Sequence, residues 1–187
     1  MNEEIKKARE VLYKGGVILY PTDTIWGIGC DATNEAAVRR VYEIKKRSDS
    51  KALLVLIDHS VKLDFYVQEV PEVAWDLVEL TDNPLTIIYP GGRNLAPNLL
   101  AEDGSIGIRV TKDLFSKQLC ECFRKAIVST SANVSGEPSP RFFDEISPEI
   151  ISAVDYVVDY RRTDKTPTKT SSILKIGIGG KIEIIRK

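Results

Sequence analysis

A single histidine, His59, and three cysteines, Cys30, Cys120 and Cys122, are scarce provision for metal or disulfide chemistry in a chain of 187 residues. One imidazole excludes a multi-histidine metal centre, and a Ser/His/Asp triad would depend on His59 alone. Cys120 and Cys122 form a lone Cys-x-Cys without the second pair that a four-ligand zinc site needs, and residues two apart diverge on a helix. An odd, sparse set of cysteines in a chain that opens with no secretory n-region or h-region fits a reducing cytoplasm. Long apolar runs are missing too: Val17 to Tyr20 and Leu53 to Ile57 are strand-length, far below the ~18–20 residues of a membrane helix, so no membrane association is expected. Nor is there an excess of one charge. Lys plus Arg number 26 against 27 Asp plus Glu, a net charge of -1, which argues against a surface built to neutralise nucleic-acid phosphates and leaves room for a local basic pocket.

What the chain does have is a globular composition, 43% hydrophobic and 28% charged. At ~100–200 residues per domain it should form one domain over residues 1–187. Met1 to Lys14 carries Ile5, Ala8 and Leu12 at helical spacing and stops at Gly15-Gly16, where glycine tolerates a left-handed cap. Val17 to Tyr20 and Ile25 to Cys30 read as strands around a polar loop. Thr33 or Asn34 then caps a helix bearing Val38, Val41, Tyr42 and Lys45. Leu53 to Ile57 suits a strand buried on both faces, Pro71 opens a further helix, and Leu85 to Tyr89 reads as a strand. Ser105 to Val110 (strand), Leu114 to Phe123 (helix) and Ala126 to Thr130 (strand) lead into a loop from Ser131 to Pro140. Asp144 to Ala153 is expected to be helical and Tyr156 to Asp159 extended. A polar linker from Tyr160 to Lys169 precedes a hairpin of Ser172 to Ile176 and Lys181 to Ile185 around Gly177 to Gly180. Alternating strands and helices predict an α/β domain with a mixed sheet, the hairpin adding antiparallel pairing at one edge.

Four segments concentrate chemistry-bearing side chains. Tyr20 to Gly27 packs two threonines, an aspartate and a tryptophan at a strand end, where α/β proteins place ligands; it could also be a turn stabilised by Asp and Thr side chains. Lys45, Lys46, Arg47 and Lys51 crowd four cations into seven positions, suited to an anion such as triphosphate or, alternatively, to a helix C-terminal dipole on a solvated face. Ser129 to Gly136 offers four hydroxyls and an amide to phosphate or carboxylate oxygens. Arg109 interrupts the apolar run Ser105 to Val110, where its planar fork could grip a carboxylate or simply face solvent. Neither a P-loop nor a dinucleotide fingerprint occurs.

Taken together and in order, these segments resemble the YrdC-like domain of threonylcarbamoyl-AMP synthases. Pro21, Thr22, Asp23, Thr24, Gly27, Ile28 and Gly29 match the family's Pro-Thr-(Asp/Glu)-Thr-x-x-Gly-(Leu/Ile)-Gly stretch. Lys45, Arg47 and Lys51 match its Lys-x-Arg element and following lysine. Gly107, Arg109 and Val110 match Gly-x-Arg-Val, and Ser131, Asn133, Ser135 and Gly136 match Ser-x-Asn with Ser-Gly. Ser171 with Ser172, and Arg186, match the closing motifs more loosely. Ser48 and Thr111 stand where many members have proline. Leu56 fills the slot of a threonine-binding histidine present in some members, so His59 does not inherit that role.

The resemblance implies a single YrdC-like α/β domain, a twisted mixed β-sheet with flanking helices around a central cationic cavity. It implies an enzyme, a nucleotidyltransferase that joins L-threonine, bicarbonate and ATP into threonylcarbamoyl-AMP and pyrophosphate, the first step of tRNA threonylcarbamoyladenosine modification, with a downstream tRNA threonylcarbamoyl transferase as partner. Lys45 and Arg47 would be catalytic, clamping the triphosphate with Lys51. Thr24 and Arg109 would hold the threonine hydroxyl and carboxylate. Ser131, Asn133 and Ser135 would cradle the phosphate end of the nucleotide, and Ser171 and Arg186 would complete the substrate site. Mg2+ would arrive with ATP, held by phosphates and water. The alternative reading is a non-synthase member of the same fold that binds a nucleotide or, weakly, double-stranded RNA in that cavity.

Overall fold

A computed structural model describes residues 1–46, 53–168, 170–177 and 179–187. Arg47, Ser48 and Lys51 therefore lie outside the described residues. The chain opens with α1 (Asn2–Tyr13), which buries Ile5, Ala8 and Leu12, and Gly15 follows it with φ +76°, the left-handed geometry that only glycine adopts without strain. Strands β1 (Ile18–Tyr20) and β2 (Gly27–Gly29) pair antiparallel; β2 is shorter than the expected Ile25 to Cys30. Asn34 caps α2 (Glu35–Ile44) by accepting from the Ala37 N–H, as its short side-chain oxygen allows. The chain continues through β3 (Leu54–Ile57), α3 (Leu63–Tyr66), α4 (Glu72–Leu80), β4 (Leu85–Tyr89) and β5 (Ile106–Val110). Next come α5 (Leu114–Phe123), β6 (Ile127–Ser131), α6 (Pro148–Ala153) and β7 (Tyr156–Val157), then the closing hairpin of β8 (Ser172–Ile176) and β9 (Ile182–Arg186). The expected helix from Asp144 to Ala153 is broken. Phe143–Glu145 forms a single 3-10 turn and α6 starts afresh at Pro148, because proline holds Ser147 extended and cannot donate to a preceding turn.

The described strands form one mixed sheet in the order β7-β1-β2-β6-β3-β5-β4-β8-β9. The terminal hairpin does add antiparallel pairing at an edge, but β8 itself joins β4 in parallel, and β7 joins β1 in parallel at the opposite edge. Period-2 alternation splits the strand residues between two faces. Leu19, Ile28, Val55, Ile57, Ile87, Ile106, Ile108 and Val128 pack on one face with Val38 and Val41 of α2 and Ala74 and Val78 of α4. On the other, Ile18, Tyr20, Leu56 and Ile127 pack under Ile5, Ala8 and Leu12 of α1 and Phe115 and Leu119 of α5. Leu56, in the histidine slot, is thus part of this core. Further along the second face, Thr86, Ile88, Gly107, Arg109, Ile173 and Lys175 line a cavity instead.

The first helix is fastened by a buried carboxylate. Glu4 Oε2 accepts from the Tyr156 hydroxyl and from the Asp159 N–H at 2.6 Å, and Oε1 pairs with Lys7 at 3.0 Å. Burial by itself would raise its pKa, but the hydrogen bonds from Tyr156, Asp159 and Lys7 outweigh it and bring the carboxyl from 4.5 down to about 2. A group depressed in the folded state contributes stability that is complete above its unfolded pKa and is lost as pH falls through the folded one. The contribution, at most about 3 kcal/mol, should therefore fade between about pH 4.5 and pH 2. In urea titrations, Glu4→Gln should be less stable than the parent at pH 7 and converge with it near pH 2. A gap that is independent of pH would contradict this assignment.

Candidate functional site

The cavity has a volume of about 830 Å³. Its floor follows from strand alternation: with Ile106 and Ile108 turned into the core, Ser105, Gly107 and Arg109 line the cavity. Arg109 is only 3% exposed, so it is not the solvent-facing member of the strand. Its Nη2 lies 3.3 Å from Asp23 Oδ1 and its Nη1 donates to Thr24 Oγ1 at 3.4 Å. These are long contacts, and the buried Arg109 Nε and Asp23 Oδ1 have no hydrogen-bond partner among the described residues. Burial pushes the Asp23 carboxyl above its ordinary value, with Arg109 pulling in the opposite direction. A buried guanidinium left under-satisfied on a cavity floor has the chemistry to receive an anion, above all a planar carboxylate that matches its fork.

The segment after β1 is a turn and also carries a cavity-lining residue, Thr24. Thr22 Oγ1 donates to the Ile25 carbonyl at 2.7 Å and accepts from the Thr24 N–H at 3.1 Å, which brings the two threonine hydroxyls within 3.1 Å. Arg161 grips the turn from outside, donating to the Thr22 carbonyl at 3.1 Å while paired with Asp113 at 2.9 Å. Thr168 Oγ1 donates to the Thr24 carbonyl. So fixed, Thr24 presents its hydroxyl beside Arg109. Trp26 forms another wall, its ring packed on Phe143 at 4.8 Å.

Lys45 is not among the residues that line the cavity. It is 2% exposed, and Nζ donates to the carbonyls of Ser131 at 2.6 Å and Asn133 at 2.7 Å, with Asn133 Oδ1 at 3.4 Å. Its own carbonyl accepts from the Ser135 N–H at 2.8 Å. Asn133 Nδ2 donates to the carbonyls of Val134 and Glu137. Lys45, Asn133 and Ser135 thus shape the loop after β6, and Ser131 is the member that lines the cavity. Lys46 turns away to Glu149 at 2.7 Å on the surface, so Lys45 and Lys46 do not act as one patch. Arg47 and Lys51 lie outside the described residues.

The C-terminal pair falls on the opposite wall. Ser171 shares a 3.1 Å contact with Thr86, hydroxyl to hydroxyl, and Arg186 donates to the Ser171 carbonyl from Nε at 3.0 Å and Nη2 at 2.8 Å. The cavity therefore unites Thr24, Arg109, Ser131, Ser171 and Arg186 from segments far apart in the sequence. The reading from residues alone missed Thr86, Glu102, Asp103, Ser105 and Lys175, which line it too. Thr86 and Ser105 were discoverable, because they are the polar members of alternating strands.

The profile of the Sua5/YciO/YrdC family, described as telomere recombination, matches residues 10–187. The chain belongs to this family. Among curated relatives it is 33% identical over 181 residues to the threonylcarbamoyl-AMP synthase of Pseudoalteromonas translucida, covering 95% of each chain. It is 32% identical over 158 residues to that of Stenotrophomonas maltophilia, covering 83% of this chain and 85% of the relative. Its fold is that of Escherichia coli YciO, with a TM-score of 0.86 at 24% identity over all of this chain and 90% of the other. The fold is also that of P. abyssi Sua5 crystallised with L-threonine, with a TM-score of 0.82 at 24% identity over 92% of this chain. The chain spans only 50% of that Sua5. Among the described residues no helix is long and apolar enough to cross a membrane.

Proposed function

We propose that this protein is a threonylcarbamoyl-AMP synthase, a nucleotidyltransferase that converts L-threonine, bicarbonate and ATP into threonylcarbamoyl-AMP and pyrophosphate. The product would pass to a separate transferase that modifies tRNA. The observation that carries the reading is the buried, under-satisfied Arg109 fork beside the Thr24 hydroxyl, a pairing of donors suited to a hydroxylated amino acid. Curated relatives spanning nearly the whole chain and named for this synthase support it.

Arg109 binds the threonine carboxylate and Thr24 its hydroxyl, which leaves the amine directed into the cavity. The amine adds to bicarbonate with loss of water, and an oxygen of the resulting carbamate displaces pyrophosphate from the α-phosphate. No protein nucleophile is required, so positioning and charge neutralisation are the protein's share. The Ser131 to Ser135 loop, set by Lys45, meets the phosphates, with Arg47 and Lys51 adding charge; Ser171 and Arg186 close the other wall. Magnesium enters with ATP, held by phosphate oxygens and water. The described residues contain no cluster of three His, Cys, Asp or Glu side chains that would hold the ion by themselves.

Pyrophosphate release from ATP, followed with and without threonine and bicarbonate, tests the reading. Strict dependence on both is expected. Binding of ATP or double-stranded RNA without such turnover would replace the synthase by a non-catalytic member of the fold.

A further inference from the structure

The charges of the cavity are laid out on the rungs of the sheet. Ile88 pairs with Gly107 on one side and Lys175 on the other, so these three share a rung. Arg109 lies two residues along β5 from Gly107, and Arg186 pairs with Ile173, two residues from Lys175. Residues two apart on a strand share a face and are separated by about 6.6 Å. Lys175 therefore stands one step from the level of Arg109 and Arg186. Gly107, across Ile88 from Lys175, leaves that part of the floor without a side chain.

The three cations are held differently. Arg109 is buried against Asp23 and Thr24, and Arg186 is tied to the carbonyl and hydroxyl of Ser171. Lys175 is 40% exposed and meets Asp103 Oδ2 at 2.9 Å. Asp103 is itself fixed, its Oδ1 accepting from the Ser105 N–H at 3.0 Å in the loop that enters β5. A half-exposed ion pair is weak, and the lysine stem is flexible enough to re-aim its ammonium. A neutral adenosine gains nothing from such a cation, whereas a phosphate oxygen would form a stronger, charge-assisted bond.

We propose that Lys175 positions the far end of the polyphosphate, its ammonium leaving Asp103 for a β- or γ-phosphate oxygen while the Ser131 loop meets the α-phosphate end, with Asp103 as a competing anion. The proposal rests on ATP being a substrate of this cavity. Lys175 is a positioning residue: it keeps the leaving pyrophosphate in line while threonine is held a step away at Arg109.

Calorimetric titration of the full chain with ATP and with AMP tests it, using Lys175→Ala, Lys175→Arg and Asp103→Asn, each checked for an unchanged urea midpoint. Lys175→Ala should weaken ATP about tenfold and leave AMP within about twofold, as expected for the loss of one charge-assisted contact. Lys175→Arg should restore ATP affinity, and Asp103→Asn should tighten ATP because the hydrogen-bonded competitor is gone, leaving Glu183 across the strand pair. Equal weakening of ATP and AMP in Lys175→Ala, unchanged ATP affinity there, or weaker ATP binding in Asp103→Asn would overturn the proposal. A parent protein that binds neither nucleotide would instead overturn the synthase reading on which it rests.

Discussion

Replacing Arg109 by methionine should reduce threonine-dependent pyrophosphate release by roughly 100- to 1,000-fold, equivalent to about 3–4 kcal/mol of lost transition-state stabilisation. The variant loses the fork proposed to receive the threonine carboxylate, and it also leaves Asp23 inside the protein without its cation. Removing one partner of a buried ion pair costs about 3–5 kcal/mol of stability. The two effects separate by a second substitution. Adding Asp23→Asn to Arg109→Met should recover most of the thermal stability, since the orphaned charge is gone, and none of the activity. Thermal unfolding and pyrophosphate release, measured on both variants and the parent, decide the matter. Turnover within threefold of the parent in Arg109→Met would remove the carboxylate receptor from the mechanism.

Lys45→Met is the second large effect, and it acts at a distance from the cavity surface. The methionine fills much the same volume but leaves the carbonyls of Ser131 and Asn133 without the ammonium that now donates to both. The Ser131 carbonyl keeps the Asn133 N–H as a donor, whereas the Asn133 carbonyl loses its ammonium, at a cost of about 1–3 kcal/mol. At roughly 2–4 °C per kcal/mol for a domain of this size, the melting temperature should fall by about 2–12 °C. Activity should fall as well, through a raised KM for ATP, because Ser131 moves with its loop. A variant with normal stability and a kcat defect alone would mean that Lys45 reaches the reacting phosphates directly.

Much of the architecture follows from local pattern. The spacing of Ile5, Ala8 and Leu12, the Asn34 cap and the alternation through Ser105 to Val110 each specify an element that the structure contains. Pro148 was a readable stop signal whose effect is the break before α6. Of the candidate site, Thr24, Arg109, Ser131, Ser171 and Arg186 line one cavity. Harder to read was burial: a string of cations such as Lys45 to Arg47 looks the same whether its members face solvent or a loop interior, and Lys45 and Lys46 go opposite ways. Asp103 and Lys175 are 72 residues apart. Their meeting depends on β8 inserting in parallel beside β4, a pairing no local pattern encodes.

A pocket whose floor is a hydrogen-bonded sheet has consequences for how such a protein can change. The strands act as a lattice with fixed spacings, about 4.8 Å between neighbours and 6.6 Å along each chain. The cavity side chains of β4 and β5, Thr86, Ile88 and Arg109, are each anchored at one node, and their neighbours Ile87 and Ile108 are anchored in the core. Lengthening or shortening a single side chain can therefore retune one ligand contact without shifting the others. New substrates become reachable by editing the polar nodes one at a time, while Ile106 and Ile108, on the packed side of the same strand, hold the lattice still.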